Sequence, residues 1–79
     1  MNTAVAAARA EILAACREAY RESPSAWIGW EPADVEDFET LEQAAHELVA
    51  EGLIRALFGD EHTAVEAQLT AAGLKAARA

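Results

Sequence analysis

Residues 40–74 read TLEQAAHELVAEGLIRALFGDEHTAVEAQLTAAGL, and the spacing of apolar residues changes twice along them. Leu41, Ala44, Ala45, Leu48 and Val49 fall at i, i+3, i+4, i+7 and i+8, the spacing of a buried helical stripe. Thr40 can cap this helix, with Gln43 three residues on in a capping-box pattern, and Gly52 is placed to end it. The opposite face carries Glu39, Glu42, Gln43, His46, Glu47 and Glu51. From Leu53 to Phe58 the period drops to two. Gly59-Asp60-Glu61-His62 is a turn cluster, and residues 63–69 alternate with Val65, Ala67 and Leu69 on one face. This is the pattern of a β-hairpin. Thr70 can then cap a last helix over residues 71–78, anchored by Leu74.

Upstream, Val5, Ala8, Ile12, Leu13, Cys16, Ala19 and Tyr20 recur at three- and four-residue steps and predict a helix over residues 3–22, with Thr3 as a cap. Ser23-Pro24-Ser25 ends it, because the residue before proline resists helical dihedrals. Residues 26–30, Ala-Trp-Ile-Gly-Trp, form a short extended piece or turn. Pro32 suits the first position of a short helical segment over residues 32–38. The expected fold is one mostly-α α+β domain over residues 1–79.

Two strings sharpen this order. Leu48-Val49-Ala50-Glu51-Gly52-Leu53-Ile54 looks like a recognition helix running into a first wing strand. Leu69-Thr70-Ala71-Ala72-Gly73-Leu74 looks like a second wing strand entering a closing helix. Together they resemble winged helix-turn-helix domains of the MarR, PadR and ArsR-like kind, over about residues 4–78. The resemblance implies three helices, a two-stranded hairpin wing and a C-terminal helix. It also implies a role in transcription regulation, with the helix over 40–51 set in the major groove and a basic wing tip on phosphates.

The charge departs from that family. Residues 31–66 hold eleven acids (Glu31, Asp34, Glu36, Asp37, Glu39, Glu42, Glu47, Glu51, Asp60, Glu61, Glu66) and one base, Arg55. Phosphate contacts supply most of the affinity for a duplex, so this face should repel one. Residues 1–30 are neutral, the last thirteen carry Lys75 and Arg78, and the net charge is −8. The acid is therefore local. The functional reading is a protein–protein module docking on a basic, nucleic-acid-binding surface, a DNA mimic of inhibitor or antirepressor type. Alanine and arginine usage suggests a bacterial or phage source. Its expected contacts are Glu39, Glu42, His46, Glu47, Glu51, Asp60 and Glu61. Trp27 and Trp30 serve either as core plugs or as an aromatic anchor, with Leu57 another candidate anchor. The bland reading of the acid run is a solvated face. The alternative function is a dimeric DNA-binding regulator, with Arg55 its best contact and Arg9, Arg17, Arg21, Lys75 and Arg78 gathered beside it. A homodimer through the alanine-rich terminal helices is a further option.

No catalytic or cofactor site is expected. His46 lacks a second histidine four residues on, and His46 and His62 read as surface residues rather than metal ligands. No glycine-rich phosphate loop or serine elbow occurs, and no carboxylate pair sits among large apolar neighbours that would suit acid–base work. One cysteine, Cys16, permits no internal disulfide and fits a reducing cytoplasm. No signal peptide and no apolar run near ~20 residues is seen, so no membrane partner is expected.

Overall fold

The computed structural model describes residues 3–78, with side chains through residue 76. Its elements are α1 (Thr3–Glu22), β1 (Ile28–Trp30), a 3-10 turn (Pro32–Asp34), α2 (Phe38–Ala50), β2 (Ile54–Phe58), a second tight turn (Asp60–His62), β3 (Val65–Leu69) and α3 (Ala71–Arg78). The domain is the expected mostly-α α+β type and winged-helix-like in its order.

The sheet has three strands, not two. β3 is central, with β1 and β2 antiparallel on either side. The register pairs Trp30 and Phe58 with Val65 at one end and Ile54 with Leu69 at the other. Residues 26–30 were too short to fix a strand from sequence, and their pairing comes from the neighbouring β3. Of the short helical segment expected over 32–38, only Pro32–Asp34 forms, as a 3-10 turn; residues 35–37 leave it and Phe38 already opens α2. Glu31 and Asp34 close it reciprocally, the Glu31 N–H donating to Asp34 Oδ2 at 2.8 Å.

Inward-facing residues of the sheet and facing stripes of α1 and α2 make the core. Val5, Ala8, Ile12 and Cys16 come from α1, Leu41, Ala44, Ala45 and Leu48 from α2, and Trp30, Ile54, Val65, Ala67 and Leu69 from the sheet. Ile12, Leu48, Val65 and Cys16 are fully enclosed. Each large aliphatic among them contributes roughly 1.5–3 kcal/mol of burial.

Three expectations about α2 are corrected. The helix begins two residues earlier than Thr40 and is capped by Asp37, whose carboxylate accepts from the Thr40 N–H (3.1 Å) and hydroxyl (2.7 Å). Thr40 thus binds the cap instead of being it. Val49 is exposed rather than buried, and Glu42 is buried rather than exposed. The two residues lie seven apart, on the same flank of the helix to within ~20°. The wing folds over that flank at Glu42 and leaves Val49 uncovered. Thr3, the expected cap of α1, is the first residue of the helix as described.

The chain is tied most closely where β2 starts and β3 ends. Gly52 takes φ +77°, a left-handed value that lets α2 turn into β2. Thr70 accepts from the Gly73 N–H at 2.9 Å, which caps α3 as expected, and its hydroxyl donates to the Gly52 carbonyl at 2.7 Å. Gly73 sits against the Leu53 carbonyl so closely that a Cβ would lie 2.0 Å from that oxygen.

Candidate functional site

β3 divides the molecule into two ends. The Val65 end, here the tip, gathers the end of β1, the 3-10 turn, the start of α2 and the wing turn. The Leu69 end, here the tail, gathers the end of α1, the α2–β2 turn and the start of α3. Five residues of strand separate them by ~13 Å along the chain.

The tip holds Glu31, Asp34, Glu36, Asp37, Glu39, Asp60, Glu61 and Glu66, all exposed, and the buried Glu42. No salt bridge to Lys or Arg is found for any of them among the described residues. Asp37 is held below the usual carboxylate range, first by the Thr40 hydroxyl and then by backbone N–H groups.

Glu42 sits at the centre of this end. His62 points its Nδ1–H at both carboxylate oxygens, 2.9 and 3.0 Å away. Glu61 (φ 55°) and His62 (φ 60°) are both left-handed, an uncommon pair for residues with side chains. Thr63 closes the turn by donating to the Asp60 carbonyl at 2.7 Å. The wing tip is thus a specific shape latched to α2. Phe38, Glu39, Glu42 and His62 line a small cleft beside it. His46 lies flat against Phe58, ring centres 3.9 Å apart, and so carries the wing's other strand. Both histidines have positioning contacts that the sequence reading did not foresee, because their partners are distant in sequence.

The last turn of α2 behaves differently. Arg9 of α1 donates to Glu47 at 2.9 Å and bidentately to Glu51, one of those bonds at 2.7 Å. The hydrogen bond from Arg9 holds the Glu51 carboxyl below its usual range, while Glu51 first and Glu47 second raise the guanidinium of Arg9. Two of the expected contact residues are therefore already paired within the domain. Glu39, Asp60 and Glu61 remain exposed and unpaired with any base.

The tryptophans divide. Trp30 is core, whereas Trp27, just ahead of β1, is 43% exposed, and Leu57 on β2 is 58% exposed. Between them Gln68 is held by donating to the Ser25 carbonyl at 2.9 Å and accepting from Arg55 at 3.4 Å. Arg55 is exposed but lies toward the tail, away from the wing tip.

Around Tyr20 and Pro24 the tail carries a groove between α1 and α3. Arg17, Arg21, Glu18 and Leu74 line one part of it, and Arg55 lines the adjoining part. Of the six bases proposed to gather in a DNA-binding dimer, Arg17 and Arg21 share one hollow and Arg55 lines the next. Arg9 does not join them, Lys75 is exposed on α3, and the Arg78 side chain lies outside the described residues.

Cys16 is buried, and desolvation pushes its thiol up to about 11. Among the described residues no group of three His, Cys, Asp or Glu could hold a metal ion, and no helix is long and apolar enough to cross a membrane. In comparisons with known proteins the chain matches no family model, and no curated protein or solved structure gives a significant match.

Proposed function

We propose that this chain is a small acidic interaction module that docks its tip on a basic surface of another protein, of the kind that binds nucleic acid. A winged helix-turn-helix ancestry, a cytoplasmic setting and a non-catalytic role belong to the same reading. The observation that carries it is the contrast within α2. Glu47 and Glu51 share Arg9, while Glu39 and the wing acids face solvent with no such partner. Acidic side chains left unpaired on a shaped, latched edge raise the local potential for a cation-rich surface, and salt weakens what they bind.

Nucleic-acid binding finds less support, because Arg55 is the one base of residues 31–66 and sits away from the wing tip. The test is an affinity capture from the native host with immobilised protein, eluted at about 0.5 M salt, where exposed charge pairs are well screened. Basic proteins released by salt from the wild type and lost from E36K/E39K/D60K are the expected result. The same proteins retained by the reversed variant would defeat the reading.

A further inference from the structure

We infer that the groove around Tyr20 takes the acidic tip of a second copy of this chain, so that the protein associates head to tail. The inference rests on the docking reading for one of its two surfaces and names the basic surface that the tip meets.

Arg17 and Arg21 are one helical turn apart on α1 and both line the groove with Tyr20, Pro24 and Leu74. Arg55 enters from β2 across the same tyrosine and proline. Three arginines thus line two adjoining hollows that share Tyr20 and Pro24. Glu18 is the one acid among the lining residues, and it lies 3.6 Å from Arg21 on a fully solvated pair. Glu22 and Lys75 are exposed nearby on the same two helices. The lining itself is therefore net positive in a chain of charge −8.

The tip offers the complement. Glu36 and Glu39 flank the start of α2, Asp60 projects from the wing, and the half-buried Phe38 supplies an apolar contact between them. A single copy cannot satisfy its own groove, because the two surfaces lie at opposite ends of β3. The molecule measures 30 × 27 × 19 Å. At about 0.15 M salt the screening length is about 8 Å, well below those dimensions. Repulsion between whole molecules is then damped while contact between complementary ends is not. An interface of two different patches is heterologous, and it builds chains or rings rather than a closed two-fold dimer.

Sedimentation equilibrium at about 0.15 M salt should show mass rising with concentration, and monomer alone at about 1 M salt. R17E/R21E and E36K/E39K/D60K, each checked for native thermal unfolding, should each lose at least about tenfold in association. Mixed together they should associate in one-to-one ratio, since the intact tip of one meets the intact groove of the other and the two reversed surfaces are again opposite in charge. This rescue separates lost complementarity from lost folding. Wild type that stays monomeric at millimolar protein, or a mixture that stays monomeric, overturns the inference.

Octalysine titrated against the same proteins keeps the two readings apart. Octalysine bound at the tip without self-association removes this inference and leaves the docking reading standing. Failure of both removes both. Binding of a short DNA duplex through Arg17 and Arg21 by a protein that stays monomeric overturns the inference in favour of nucleic acid at the groove.

Discussion

At the tail of β3 the chain closes by contact: Gly73 lies on the Leu53 carbonyl, and the Thr70 hydroxyl joins Gly52 to Gly73. At the tip it closes by polar groups held in an uncommon shape, with two left-handed residues and a histidine set on a buried carboxylate. The charges follow the same division. Glu47 and Glu51 beside the tail are paired with Arg9, whereas among the described residues no Lys or Arg pairs with an acid at the tip, where Glu42 alone is met, by His62. Packing leaves little room for variation in the tail, whereas at the tip exposed acids such as Glu36, Glu39 and Glu61 have no such contact and are freer to change. A surface free to vary is where specificity for a partner can be built.

The largest expected effect lies at the tail. Gly73→Ala puts a methyl group where a backbone oxygen already lies. Alanine normally favours a helix by about 1 kcal/mol over glycine, but here overpacking should cost at least about 2 kcal/mol net. Denaturant unfolding measures this, and unchanged stability would mean the helix-to-loop approach is looser than described.

At the tip, Glu42→Ala should cost about 1–2 kcal/mol, below the roughly 1.5–3 kcal/mol typical of a hydrogen bond to a charged group because the His62 side chain is largely exposed. It should also release the turn at residues 60–63, seen as faster amide exchange there. Left-handed residues persist only where their surroundings hold them, so unchanged exchange would show that the latch is not what fixes the wing.

Arg9→Ala probes the boundary between the two ends. It frees Glu47 and Glu51, so octalysine affinity should rise about two- to fivefold at low salt, with a stability loss of about 1 kcal/mol because the partly covered Arg9 holds Glu51 bidentately and Glu47 as well. Affinity that falls instead would mean that Arg9 belongs to the binding surface.

The smallest effect is acid sensitivity. The folded pKa of Asp37 lies below its unfolded value, so its stabilisation is present above the usual carboxylate range near ~4 and is lost as pH falls through the folded value. The stability difference between wild type and D37N should therefore shrink as pH drops below ~4. A difference that grows there would contradict the cap.

Much of the tail was legible in the sequence because its signals are local. Gly52 and Thr70 sit beside the groups they serve, and period-two spacing marked the hairpin. The start of α2 was misplaced because Asp37 and Thr40 both have the chemistry of a cap, and only the helix geometry decides between them. The tip was largely illegible. Glu42 meets His62 across 20 residues, and the tail's own Arg9–Glu51 pairing, across 42, was hidden for the same reason. An acid on the flank of a helical stripe gives no sign that a distant turn will cover it. β1 was hidden for the related reason that its partner strand begins 35 residues after it ends, at Val65 against Trp30.

Cys16 makes the fold its own clock. Its thiol is enclosed in the core and, with an ionisation pushed up to about 11, offers almost no thiolate at neutral pH while the domain is closed. A thiol reagent therefore reacts only with molecules that have opened as far as α1. With a fast reagent in excess the labelling rate equals the opening rate, and with a slow one it reports the open fraction. The stability changes predicted for Gly73→Ala, Glu42→Ala and D37N can all be read at this one atom, without a dye, a tag or a known partner.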